Sequence, residues 1–113
     1  MRVLVADDEP NLRKSLAEWL ETEGMEPVLA ADGEEARALL GVETVDALVL
    51  DLRMPRLDGL GLLRWLRDSG PASIPALVVS AHGDVKDAVE AVKLGADDYL
   101  VKPFDPDELV LKI

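Results

Sequence analysis

Residues 47–59 read Ala47-Leu48-Val49-Leu50-Asp51-Leu52-Arg53-Met54-Pro55-Arg56-Leu57-Asp58-Gly59. An apolar run stops abruptly at Asp51, and the chain then passes a proline and an Asp-Gly pair. Continuous rather than alternating apolar character over a strand's length marks a parallel strand covered on both faces. In an open parallel sheet, ligands bind beyond the carboxyl ends of the strands. A carboxylate directly after such a run is expected to stand on a rigid support at the edge where chemistry is done.

Four other runs share this character: residues 3–6, 28–31, 76–79 and 99–101, each rich in Val or Leu. The segments between them repeat apolar residues at every third or fourth position, the helix period. Residues 10–23 carry Leu12, Leu16, Trp19 and Leu20, and residues 34–40 carry Ala36, Leu39 and Leu40. Residues 58–68 carry Leu62, Leu63 and Leu66, and residues 84–94 carry Val85, Ala88, Val89 and Val92. Gly24, Gly41, Gly70 and Gly95 follow helical segments, where a left-handed cap favours glycine. Asp84 and Asp105 stand where N-caps are wanted, and Pro106 suits a first helical turn. Strand alternating with helix predicts an α/β domain with a parallel sheet and right-handed crossovers. Residues 1–113 form one such domain. The last helix begins near Asp105, so an output domain is expected to follow Ile113.

The chain of 113 residues is 49% hydrophobic and 31% charged, enough of each for a core and a polar surface. It has no cysteine, which excludes disulfides and thiolate metal sites. Its net charge of −11 repels nucleic acid and anionic lipid, and tolerates cations. No apolar run approaches the roughly 20 residues that span a bilayer. A cytoplasmic location, with no direct nucleic-acid binding and no membrane contact, is expected.

The polar residues that follow the runs are complementary. Asp7, Asp8 and Glu9 follow the first run, Asp51 the third, Ser80 the fourth, and Lys102 with Pro103 the fifth. The runs alone do not settle the strand order. In the flavodoxin-like order 2-1-3-4-5, a common doubly wound arrangement, strands 1 and 3 are neighbours. Asp7, Asp8 and Asp51 would then converge. Carboxylates sharing a cleft raise one another's pKa unless a cation intervenes. A site with oxygen ligands alone, few of them from protein, suits Mg²⁺, which keeps several waters and pairs with phosphate oxygens. Lys102 adds a positive point charge and Ser80 a hydroxyl donor. Together these groups suit phosphoryl transfer to a carboxylate, with Asp51 attacking phosphorus in line. Taken singly, each is weak. An aspartate after a strand is ordinarily a turn or cap residue, and Asp58 and Asp84 are assigned to that class.

The stretches "VLVADDEP" (3–10), "LVLDLRMPRLDG" (48–59), "LVVSAHGD" (77–84) and "GADDYLVKPF" (95–104) carry a resemblance that covers the whole chain. It resembles the receiver domain of two-component response regulators. The resemblance implies a flavodoxin-like, CheY-like fold of five parallel strands in the order 2-1-3-4-5 with five helices, the fifth truncated here. It implies Mg²⁺-dependent transfer of a phosphoryl group from a phosphohistidine of a sensor histidine kinase to Asp51. Asp7 and Asp8 would hold the metal, one of them through water, with Asp51 and the backbone carbonyl of Arg53. Ser80 would be the switch hydroxyl, in place of the commoner threonine. Lys102 would pair with the phosphoryl group, across a cis Lys102–Pro103 bond. Tyr99 would be the switch aromatic, its ring moving inward when Ser80 turns toward the phosphoryl group. The fourth helix, fifth strand and fifth helix would then offer a changed surface, including Lys86, Glu90 and Lys93, to the output domain or to a second copy in a homodimer. Slow self-dephosphorylation would be the only further activity. Residues 80–104 look like the nitrogen-regulation type, whose receivers control an ATPase domain that activates sigma-54 polymerase and hence transcription.

Two other classes compete. An aspartyl-nucleophile phosphatase of the haloacid-dehalogenase kind resembles this chain less, because "ADDEP" lacks that family's strand-1 motif. A flavodoxin-like cofactor binder wants a Ser/Thr/Gly-rich loop after strand 1, and none is present. His82, the only histidine, is expected on the loop after strand 4, at the rim of the site. Trp19 and Trp65 are expected to pack against the sheet.

Overall fold

Each apolar run pairs with its neighbours to form a strand, and each periodic segment folds back across the sheet as a helix. The computed structural model describes residues 1–70, 73–80, 85–102 and 108–109, with Val85 by its backbone alone. The elements are β1 (Arg2–Ala6), α1 (Pro10–Thr22), β2 (Glu26–Ala30), α2 (Gly33–Val42), β3 (Ala47–Asp51), α3 (Gly59–Asp68), β4 (Ala76–Ser80), α4 (Val85–Lys93) and β5 (Asp98–Val101). Residues 108 and 109 are helical, and the remainder of the expected fifth helix lies outside the described residues. So do His82 and the caps expected at Asp84 and Asp105.

The five strands are parallel, in the order β2-β1-β3-β4-β5. The central strands β3 and β4 are buried throughout, whereas the edge strands β2 and β5 are only partly covered. Alternate residues of the strands face two separate cores. Leu4, Leu48, Leu50 and Val78 meet α2, α3 and α4 on one face. Val3, Val5, Val49 and Val79 meet Leu16 and Leu20 of α1 and Leu109 on the other. Both tryptophans pack partly buried against these cores, Trp65 on the first and Trp19 on the second.

Several local expectations need correction. β2 starts two residues before the apolar run, because Glu26 and Pro27 pair in register with Arg2 and Val3. Pro27, with no N–H to donate, is tolerated there because β2 is an edge strand. Gly41 lies inside α2 rather than past it, and Gly70 does not adopt a left-handed conformation. Only Gly24 and Gly95 do so among the glycines of the described residues, with φ of 81° and 107°. Among the described side chains of α4, Ala88 and Ala91 are buried, while Val89 and Val92 are about half exposed (48% and 47%). The helix is therefore rotated away from the side that carries Val89 and Val92.

Candidate functional site

The register of the sheet builds the site. Ala6 pairs with Leu50, so Asp7 and Asp51 are carried side by side to the carboxyl edge. Asp51 pairs with Val79, which brings Ser80 to the next step, and Ser80 pairs with Val101, which brings Lys102 to the one after. The Lys102 N–H donates to the Ser80 carbonyl at 2.8 Å and continues the ladder past the end of β5. Four residues of three chemical kinds thus meet because Asp7 and Asp51 end level, and Ser80 and then Lys102 each follow one residue further on.

Asp7 and Asp51 are buried, Asp8 is exposed, and one carboxylate oxygen from each lies within 4.8 Å of the others. Lys102 Nζ stands 3.2 Å from Asp51 Oδ2, 3.3 Å from Asp7 Oδ2 and 3.3 Å from Glu9 Oε2. The Glu9 N–H donates to Asp7 Oδ1 at 2.9 Å, and the Arg53 N–H to Asp51 Oδ1 at 3.2 Å. Burial pushes the Asp51 carboxyl above its ordinary range, and the Asp7 carboxylate adds to this. The Arg53 N–H and the Lys102 ammonium pull the other way without prevailing. Burial alone would lower Lys102, but Asp51 and Asp7 outweigh it and raise its pKa, so the ammonium keeps its charge.

The loop after Asp51 is shaped to hold it still. Pro55 O accepts from Leu57 N at 2.9 Å, and Arg56 between them has φ of 69°. This is a γ-turn of the rare left-handed kind, a strained conformation for a non-glycine residue. Arg56 Nε lies 3.7 Å from the buried N-cap carboxylate of Asp32, whose other oxygen accepts from the Glu35 N–H. Asp58 caps α3 by accepting from the Gly61 N–H at 2.8 Å, the cap role expected for it. Gly59 packs so closely that a Cβ there would lie 2.5 Å from the Asp51 carbonyl oxygen. α3 therefore rests directly on the backbone of Asp51.

Ser80 is buried, at 1% exposure, and its Oγ has no hydrogen-bond partner among the described residues. A buried donor left in that state costs about 1–3 kcal/mol, which invites an acceptor beside it. The donor set also fits Mg²⁺. All the ligands are hard oxygens, two are fixed by burial, and the open side at Asp8 leaves room for the waters this ion retains. Tyr99 is 43% exposed on β5, and Val89 and Val92 of α4 are about half exposed as well. The Lys102–Pro103 bond lies outside the described residues.

The model of the response regulator receiver domain matches residues 3–113. The chain belongs to the response regulator receiver domain family. This receiver is 46% identical over 112 residues to "Probable transcriptional regulator ycf27" of Cyanophora paradoxa, covering 99% of this chain and 46% of that protein. It is 45% identical over 113 residues to the response regulator MprA of Mycobacterium avium, covering 100% of this chain and 49% of that one. The chain spans about half the length of the curated relatives it matches. Among solved structures, a response regulator receiver protein from Pseudomonas putida superposes with a TM-score of 0.92 at 38% identity, covering 97% of this chain and 92% of that one. The receiver domain of NtrX from Brucella abortus superposes at 0.90 with 37% identity, covering 96% and 92%. The likeness thus extends to receivers of several kinds and does not single out the nitrogen-regulation type.

The site brings together Asp7, Asp8, Asp51 and Lys102, all named from sequence; at Arg53 it shows the N–H on Asp51, whereas the carbonyl was the group named for the metal. Glu9, which shares Lys102, was visible only as a third acid after Asp7 and Asp8. The support given by Asp32, Arg56 and Gly59 had no chemical signature in sequence beyond the Asp-Gly spacing.

Proposed function

We propose that this receiver is a phosphorylation-driven switch that takes a phosphoryl group from a phosphohistidine of a sensor kinase onto Asp51. A carboxylate oxygen of Asp51 attacks phosphorus, the P–N bond to the kinase histidine breaks, and the imidazole leaves with its electron pair. Asp7, Asp8, Asp51 and the Arg53 carbonyl would hold Mg²⁺, which supplies charge neutralisation on the phosphoryl oxygens. Lys102 pairs with one of those oxygens, and Ser80 donates a hydrogen bond to another. The observation that carries this reading is a buried carboxylate flanked by a charged lysine at 3.2 Å, next to a strand end whose buried hydroxyl lacks an acceptor among the described residues. A nucleophile, a cation and a donor arranged in this way are what phosphoryl transfer needs.

Only the phosphorylated form rewards an inward turn of Ser80, and that difference is what shifts a two-state equilibrium. In the active state the Tyr99 ring moves inward and the surface of α4, β5 and the fifth helix changes, with Lys86, Glu90 and Lys93 exposed beside Val89 and Val92. That face serves an output domain or a homodimer, in a cytoplasmic protein that regulates transcription. A sigma-54 activator of the nitrogen-regulation type is one such protein. The domain turns over no external substrate.

The test is incubation with acetyl phosphate and Mg²⁺, followed by intact-mass and peptide mapping. One phosphoryl group on Asp51, absent from Asp51→Asn, is expected. A label elsewhere in the unsubstituted chain, or sustained multiple turnover of a small phosphoester, would point to the aspartyl phosphatase instead.

A further inference from the structure

We propose that the ion pair between Arg53 and Asp87 is a latch, which holds α4 in its present position until the site at Asp51 is filled. The inference rests on the proposed function for its ligand and deepens it by naming how the site reports to α4. Among the described residues, two attachments of Arg53 point in different directions. Its backbone N–H donates to Asp51 Oδ1 at 3.2 Å, so its position follows the acceptor carboxylate. Its guanidinium lies 2.8 Å from Asp87 Oδ2, in the first turn of α4 and 34 residues along the chain.

The helix it grips is lightly seated. Among the described side chains of α4 the buried ones are Ala88 and Ala91, whereas α3 buries Leu62, Leu63 and Leu66. Hydrophobic anchoring grows with the apolar area removed from water, so the two buried methyl groups described on α4 contribute far less than the three leucines of α3. A polar tie at its first turn is then a substantial part of what fixes its position. The pair is also solvent-facing, with Arg53 68% and Asp87 33% exposed. Such pairs bias an equilibrium by about two- to fivefold, enough to favour one helix position and weak enough to be released. Ser80 ends β4, the strand that feeds α4, and its buried hydroxyl lacks a partner among the described residues in this arrangement. The position with the pair formed is therefore the one in which Ser80 is not yet engaged. By reciprocity, whatever the pair contributes to holding α4 it must subtract from the affinity of the site for a phosphoryl group.

The experiment compares beryllofluoride binding at saturating Mg²⁺, followed by amide NMR. It uses the unsubstituted chain, Asp87→Ala, Arg53→Ala, the double variant, and Glu90→Gln as a second acid lost from the same helix. Asp87→Ala and Arg53→Ala should each bind about two- to fivefold tighter, and the double variant no tighter than either. A bulk charge effect gives the opposite pattern, with tighter binding on loss of the acid, weaker binding on loss of the arginine, and additivity. That pattern overturns the latch, as does Glu90→Gln matching Asp87→Ala. Hydrogen exchange of α4 amides in the free protein reads the same pair with no ligand present. Exchange about two- to fivefold faster in Asp87→Ala is expected, and unchanged exchange overturns the latch. If the unsubstituted chain binds no beryllofluoride while that acceleration holds, the phosphoacceptor reading fails and the latch stands.

Discussion

Lys102 Nζ stands 3.2 Å from Asp51 Oδ2, and the two residues are 51 positions apart in the chain. The pair joins β5 to β3 across β4, and the same ammonium reaches Asp7 on β1. One lysine thus balances carboxylates at the ends of the neighbouring strands β1 and β3. Two buried acids and one cation leave a surplus of negative charge in a partly dry cleft, and the behaviour of the site follows from that surplus.

Asp51→Asn should stabilise the protein at neutral pH. The Asp51 carboxyl is raised above its ordinary 3.8, chiefly by burial and then by Asp7. A raised acid contributes its full share to stability below the unfolded value, and that share is lost as pH rises through the folded value. At pH 7 the variant should therefore be more stable, by on the order of 1 kcal/mol, since the desolvated charge and with it the contact with Asp7 are removed. The gain should shrink as pH falls toward 3.8. Urea titrations at several pH values check this, and a variant less stable than the parent at pH 7 contradicts it.

Mg²⁺ should raise the melting temperature, and Asp8→Ala should abolish most of that rise. Asp8 is the exposed member of the acid group, so its loss removes a ligand without opening the core. At tenfold excess over the dissociation constant, a ligand specific for the folded state adds about 1.4 kcal/mol. Calorimetry with and without a chelator measures both effects.

Ser80→Ala should leave the stability of the free protein unchanged or raised by up to about 1 kcal/mol, although Ser80 is one of the most buried polar residues. The hydroxyl makes no bond to lose among the described residues, and its desolvation penalty disappears. The same variant should still be phosphorylated but should show smaller amide shifts in α4 on beryllofluoride binding. Denaturation and NMR together separate the two effects.

Gly59→Ala should destabilise the domain by about 2 kcal/mol or more, because the added methyl meets the Asp51 carbonyl at 2.5 Å. Gly41→Ala, where a Cβ meets nothing within 4 Å and the backbone is helical, should stabilise α2 by about 0.5–1 kcal/mol. Thermal melts of the two variants should therefore move in opposite directions.

The local code was sufficient for a large part of this. Continuous apolar runs identified five strands buried by helices, because a parallel strand covered on both faces has no polar side to show. Asp7, Asp51, Ser80 and Lys102 were legible because each directly follows such a run, with Asp8 next to Asp7, and a parallel sheet brings all its carboxyl ends to one edge. Other features depended on packing between segments far apart in sequence. The valines of α4 suggested an inward stripe, but among the described side chains Ala88 and Ala91 are the buried ones, and Val89 and Val92 are about half exposed. The pairing of Arg53 with Asp87 and the sharing of Lys102 with Glu9 join exposed side chains 34 and 93 residues apart. No periodicity or motif encodes such contacts, because charged surface residues follow the shape of the surface they land on. The orphaned hydroxyl of Ser80 is of the same kind. Its residue type is written in the chain, but whether it has a partner depends on how neighbouring strands and loops enclose it.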